Sequence, residues 1–222
     1  PVFIHGESKN NYKASPAQLK AAITPKTRAI MPVHFAGLPC DLDPIYALAK
    51  KYNLYVIEDA AQAIGCDYKG QKIGSFGGKH SAQVYSFHPN KNMTTGEGGC
   101  VSVHDETLAK KIAVWRFHGI DRDAFNRFSK SGSQEYDVIE PGLKYNMMDI
   151  QAALGLHQLK ALDDFNQTRT HLALRYLELL RDVPGIELPS LPAYDCKHTW
   201  HLFTILIDPA FMERGAFCFN EY

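Results

Sequence analysis

No apolar run in this 222-residue chain approaches the ~20 residues that a bilayer-spanning helix needs. Charge of neither sign is in excess, because 24 Lys plus Arg balance 24 Asp plus Glu. With no basic cluster either, a broad nucleic-acid footprint is excluded. Cysteine is sparse: Cys40, Cys66, Cys100, Cys196 and Cys218 stand far apart, with no CxxC pair. An odd, scattered set predicts free thiols in a reducing cytoplasm rather than a disulfide framework. The ten histidines form no HExxH or comparable ligand spacing, so no metal site is expected. Internal repeats and low-complexity tracts are also missing, which excludes a solenoid.

What is present is ordinary globular material. Apolar residues make up 45% of the chain, enough for a real core. The length suits one sizeable domain, or one and a half. Ser15-Pro16 opens a helix carrying Leu19, Ala22 and Ile23. Residues 27–34 read as a buried strand. Asp43-Pro44 opens a second helix with Ile45, Leu48, Ala49 and Tyr52 at helical spacing. Residues 54–57 are the next strand, ending on Glu58-Asp59. This strand–helix–strand order predicts a βαβ unit and a parallel sheet.

Residues 67–78 have the glycine spacing of a loop or short hairpin. Strands follow at 82–87 and 100–103, and Asp105 caps a helix with Leu108, Ile112 and Trp115. The polar stretch 119–142 reads as a long excursion over the site or a plain surface loop. From Met147 the pattern is helical to about Asp182. Its first half is apolar nearly all round, which predicts burial on two sides. Residues 202–207 read as a strand opening a smaller unit.

Chemistry gathers at strand ends, where ligands of open α/β sheets bind. Asp59 ends one strand. Its carboxylate suits either a helix cap or a charge-assisted partner for a protonated ring nitrogen. Glu58 points to the other face and is structural. The segment SFHPNKNMTTGEGG (86–99) ends the following strand with Ser86, a single Lys91, and Gly96, Gly98 and Gly99. A hydroxyl and loop amides suit a phosphate. A lysine held there suits capture of an aldehyde as an imine. Together they suggest a phosphorylated aldehyde cofactor whose ring meets Asp59. His34 reads equally as a site residue or a satisfied core histidine.

VIEDAAQAIG (56–65) and SFHPNKNMTTGEGG (86–99) resemble the DegT/StrS family of sugar aminotransferases. So do residues 22–45, 116–119, 141–159 and 198–203; the last two look most like the subgroup making UDP-linked 4-amino-4-deoxy-arabinose. The resemblance implies a fold-type I, aspartate-aminotransferase-like α/β architecture with a mostly parallel central sheet flanked by helices. Residues 1–163 would belong to the large cofactor-binding domain. Residues 164–222 would form a linking helix and the start of a small α+β domain. The family is longer at both ends, so the sequence is expected to be part of a longer polypeptide.

The same resemblance implies pyridoxal 5′-phosphate as cofactor, glutamate as amino donor and a nucleotide-linked keto sugar as acceptor. Lys91 would form the Schiff base and move the proton. Asp59 would hold the pyridine nitrogen protonated, Gln62 would lie by the ring, and Ser86 would bind the phosphate. Asn146 would reach the phosphate in the neighbouring subunit of a homodimer, and His88 would act from behind Lys91. Dehydratases of the family carry histidine at the lysine position, so Lys91 favours transamination. Two other readings stand beside it: a relative that binds the cofactor without turnover, and a structural remnant that binds nothing.

Overall fold

The computed structural model describes residues 1–4, 6–8, 11–120 and 137–212. Most of the polar excursion falls outside the described residues. The chain begins with an antiparallel pair, β1 (Gly6–Ser8) and β2 (Asn11–Ala14), followed by α1 (Pro16–Ala22). Pro16 sits in the first turn, where its missing N–H leaves no helical bond unmade.

The predicted βαβ unit is present. Strand β3 (Ala29–Ile30) leads to helix α2 (Leu42–Tyr52) and returns in parallel as β4 (Tyr55–Asp59). Helix α2 buries Leu42, Ile45 and Ala49 against the sheet, each large aliphatic side chain worth roughly 1.5–3 kcal/mol. It starts at Leu42, with Asp41 at the cap position rather than Asp43. It ends at Asn53, whose left-handed backbone (φ 51°) lets its N–H reach the Ala49 and Lys50 carbonyls.

Strand β3 is much shorter than the 27–34 expected, because Pro32 carries no N–H for a ladder bond. Beyond it the extended chain still alternates: Ile30, Pro32 and His34 are buried while Met31 and Val33 are exposed.

A hairpin follows, β5 (Asp67–Tyr68) and β6 (Gln71–Lys72), turning at Lys69-Gly70 with both residues at positive φ. Next come β7 (Ser81–Ser86), parallel to β4, and β8 (Gly99–Val103), antiparallel to β7. The central sheet therefore runs β3-β4-β7-β8, with one antiparallel edge. Helix α3 (Glu106–Trp115) begins as expected, its Leu108 N–H donating to Asp105 Oδ1 at 2.9 Å.

Helix α4 (Asp149–Leu179) runs 31 residues without interruption. The division expected at 163/164 falls inside it. Its first half is not buried on two sides within this chain: Ile150, Leu156 and Leu159 are all exposed. The described residues that cover it are the 94–98 loop, through Thr95 and the Gln158 side chain, and the turn at Gly65, against which Leu162 packs. Short pairs complete the fold. β9 (Ile186–Glu187) pairs with β11 (Leu206–Ile207), and β10 (Cys196–Lys197) adds to β5, before the short helix α5 (Pro209–Met212). The strand expected from 202 is confined to Leu206–Ile207.

Among the described residues, no helix is long and apolar enough to cross a membrane.

Candidate active site

Asp59 ends β4 with its backbone fixed on both sides. Its N–H donates to the Pro32 carbonyl at 2.9 Å, and its carbonyl accepts from the His34 N–H at 3.0 Å. Oδ1 accepts from the Ala61 N–H at 3.0 Å. The residues after it form tight turns rather than the helical turn that the cap alternative required. Oδ1 therefore serves the local turn, and Oδ2 accepts no hydrogen bond among the described residues. Gln62 also belongs to this turn, its Oε1 accepting from the Ala36 N–H at 2.6 Å.

Asp59 is the register partner of Val84 on β7. Two residues on, Ser86 projects to the same sheet face as Asp59, because strand side chains alternate. Its Oγ accepts from the His88 N–H at 3.2 Å. His88 is exposed, with Nδ1 2.9 Å from Asn90 Oδ1. The loop then closes on itself. The Thr95 N–H donates to the Phe87 carbonyl at 3.0 Å, and the Phe87 N–H to the Gly98 carbonyl at 2.8 Å. Gly98 is required here: its φ is +150°, and a Cβ would stand 2.5 Å from Thr95 Oγ1. Lys91 is half-buried in this loop, its N–H donating to the His88 carbonyl at 3.0 Å. No hydrogen bond or ion pair engages its ammonium among the described residues.

A buried amide cluster behind Lys91 was not foreseen. Asn92 Nδ2 donates to Asn166 Oδ1 at 2.6 Å and to the Thr199 carbonyl at 2.7 Å. Asn166 Nδ2 donates to the Ile64 carbonyl at 3.2 Å. Segment 199–202 is itself tied to the 36–37 turn, with the Thr199 N–H on the Gly37 carbonyl and the Leu202 N–H on the Ala36 carbonyl. His201 sits in this segment, 8% exposed, and its Nδ1 has no hydrogen-bond partner among the described residues. Burial pushes its pKa down to about 4, helped by the charges of Lys91 and Arg169. It is therefore a neutral ring beside the lysine at ordinary pH.

The opposite face is structural, as expected for Glu58. This carboxylate is fully buried and accepts from Tyr46 Oη at 2.5 Å, Gln83 Nε2 at 2.8 Å and His34 Nε2 at 2.8 Å. Burial opposes its charge, but the three donors prevail and hold its pKa below the usual carboxylate value. His34 Nδ1 accepts the Cys40 N–H at 3.0 Å, so the ring proton lies on Nε2, facing Glu58. Both ring nitrogens are used, and His34 is a satisfied core histidine.

The structure thus gathers Asp59, Gln62, Ser86 and Lys91 at the carboxyl end of β4 and β7, with His88 outside them. Asn146 lies apart and half-buried, accepting from Lys144 Nζ. It lines a groove of about 730 Å³ with Val84, Gly98, Arg116 and Gln151.

A mixed sheet flanked by helices, with acid, hydroxyl and lysine at successive strand ends, is the fold of the fold-type I pyridoxal-phosphate-dependent aminotransferases. Solved structures bear this out. The chain matches Helicobacter pylori PseC, an aminotransferase involved in the biosynthesis of pseudoaminic acid, with a TM-score of 0.82 at 32% identity. That match covers 95% of this chain and 53% of PseC. Streptococcus pneumoniae Spr1654 matches in its PMP form (TM-score 0.80, 29% identity, 93% of this chain and 56% of that one). Its PLP form matches at a TM-score of 0.78 and 28% identity, covering 93% of this chain and 55% of that one.

The chain belongs to the DegT/DnrJ/EryC1/StrS aminotransferase family, whose model matches residues 1–218. It is 46% identical over 208 residues to the spore coat polysaccharide biosynthesis protein SpsC of Bacillus subtilis, covering 94% of this chain and 52% of SpsC. It is 45% identical over 209 residues to the UDP-4-amino-4-deoxy-L-arabinose–oxoglutarate aminotransferase of Shewanella sediminis, covering 94% of this chain and 53% of that protein. The chain spans about half the length of the curated relatives it matches.

Proposed function

We propose that this chain is part of a pyridoxal-phosphate-dependent aminotransferase. It moves an amino group from glutamate to a keto group of a nucleotide-linked sugar, for lipopolysaccharide or another cell-surface polysaccharide. Family membership and the named relatives support the reading. The observation that carries it is local: Lys91 lies in the loop that follows β7, the sheet neighbour of the strand that ends on Asp59, and among the described residues neither the Lys91 ammonium nor Asp59 Oδ2 has a hydrogen-bond partner. The residues fit the cofactor. Unpartnered buried atoms, His201 Nδ1 and Asn92 Oδ1, lie on the segments that enclose Lys91, and solvent-free polar atoms of this kind call for a polar partner.

When bound, the cofactor supplies an aldehyde that takes up amino groups and a ring that draws electrons from the reacting carbon. Asp59 would accept the ring N–H and favour its charged form. Gln62, its Oε1 held by the Ala36 N–H, would lie by the ring. Ser86 Oγ and Asn146 would hold phosphate oxygens, Asn146 in the partner subunit's site. Lys91 would be the residue that holds the cofactor's aldehyde and, as a free neutral amine, the base that moves the proton. His88 supports the Lys91 loop from its outer side. Residues 1–163 supply the cofactor-binding part, and 164 onward begins the smaller unit.

The assembly is a cytoplasmic homodimer, and the exposed apolar start of α4, with Met148 at 60% and Ile150 at 82% exposure, supports a subunit contact there. The acceptor is a UDP-linked 4-keto pentose, on the strength of the Shewanella relative. Adding glutamate to the cofactor-loaded protein tests this reading. The near-visible absorbance of the cofactor bleaches and pyridoxamine phosphate appears; an unchanged spectrum refutes it. Screening 4-keto and 3-keto sugar nucleotides against the aminated form then identifies the acceptor.

A further inference from the structure

We infer that Asn166 is a positioning residue for the Lys91 amine: from helix α4 it holds Asn92, and with it the loop carrying Lys91, against the turn that follows Asp59. The inference rests on the reading of Lys91 given above.

Asn166 and Asn92 are 74 residues apart in sequence, yet their side chains meet at 2.6 Å. Asn166 is fully buried and Asn92 is 5% exposed. The pairing is directional. Asn92 commits both amide hydrogens, one to Asn166 Oδ1 and one to the Thr199 carbonyl. Asn166 offers its oxygen to Asn92 and its nitrogen to the Ile64 carbonyl. Turning the Asn166 amide over would set oxygen against the Ile64 carbonyl and nitrogen against the Asn92 amide, so one orientation alone satisfies both contacts. There is no slack on the Ile64 side, since a Cβ on Gly65 would stand 2.6 Å from Asn166 Nδ2.

The consequence is mechanical. Asn92 adjoins Lys91, and Ile64 lies five residues beyond Asp59. One side chain on a long, rigid helix therefore ties the amine's loop to the acid's turn, and through Thr199 to the segment bearing His201. A leucine at a buried helix position would supply packing alone. A buried polar pair instead specifies which surfaces meet, because parting these surfaces would strand the donors and acceptors that the pair now satisfies. Reacting groups lose rate steeply when displaced by as little as 1 Å, and the imine carbon must be met by one amine.

The test has two arms, applied to Asn166→Asp and Asn166→Leu. In cofactor-free protein, amide hydrogen exchange over residues 88–95 rises at least tenfold in both variants, while peptides over β4 and β7 exchange as in the wild type. After addition of pyridoxal phosphate, the borohydride-trappable adduct on Lys91 builds up at least tenfold more slowly. Thr168→Ala, on the exposed side of α4, changes neither readout. Asn166→Asp keeps the shape but places a second acceptor against the Ile64 carbonyl, so it carries the test if Asn166→Leu does not fold. Wild-type exchange and trapping in a folded variant, or a lower melting temperature alone, overturn the inference. A wild-type protein that forms no adduct overturns the reading of Lys91 instead, while the exchange arm still decides whether Asn166 holds the loop.

Discussion

Replacing Glu58 by alanine should cost far more stability than chemistry. The carboxylate joins three elements: His34 beyond β3, Tyr46 on α2 and Gln83 on β7. Removing it strands three donors. Tyr46 is half-buried and its hydroxyl can turn toward water, so its loss is partly recovered. His34 and Gln83 are fully buried, and each unsatisfied donor costs about 1–3 kcal/mol. With the cavity left by the side chain, Glu58→Ala should lose roughly 3–5 kcal/mol. That is a large part of the ~5–15 kcal/mol typical of a folded protein.

Glu58→Gln keeps the volume and one acceptor but turns an NH₂ toward one of the donors, so about 1–3 kcal/mol is expected. Guanidinium unfolding followed by circular dichroism and by fluorescence of the buried Trp200 measures both. Because Asp59 lies on the opposite sheet face, the folded fraction of either variant should still couple the cofactor to Lys91. A loss below about 1 kcal/mol for Glu58→Ala would refute the claim that this network binds the βαβ unit to β7.

Other expectations are smaller and independent. His201 has a folded pKa near 4 against an ordinary 6.5. The unfolded chain therefore binds the extra proton first, and stability is full above pH 6.5 and falls between 6.5 and 4; His201→Gln should flatten that part of a melting-temperature profile. Asp105→Ala removes the α3 cap and should cost about 1 kcal/mol in denaturant unfolding, with no change in cofactor binding. Gly65→Ala combines a φ of +79° with the Asn166 collision and should cost at least ~2 kcal/mol on the same assay.

Local grammar made much of this molecule legible. Pro16 and Asp105 announced helix starts, and the run through Ile45, Ala49 and Tyr52 announced α2. Together with the strands on either side, α2 placed Asp59 at a parallel strand end. The apolar run at 82–87 then placed Ser86 at the end of the next strand. What the sequence concealed depends on distance or on water. Asn166 sits among Asp163, Asp164 and Gln167, where an asparagine reads as one more solvated helix residue. Its partner is 74 residues away, and no periodicity links them. His201 was visible only as part of a motif, because its burial comes from the 36–37 turn. Pro32 did carry a signal, since a proline shortens a strand, and the expected 27–34 strand overrode it. The first half of α4 went wrong in the other direction: an apolar pattern reports that a surface is to be covered, without reporting that this chain covers it.

The central claim is that one amine, Lys91, is the covalent attachment point of the cofactor. Reducing the pyridoxal-phosphate-loaded protein with borohydride and mapping the modified peptide measures this directly. The account predicts a pyridoxyl adduct on Lys91, absent from Lys91→Ala. An adduct on another lysine, or an equal yield from Lys91→Ala, would contradict it.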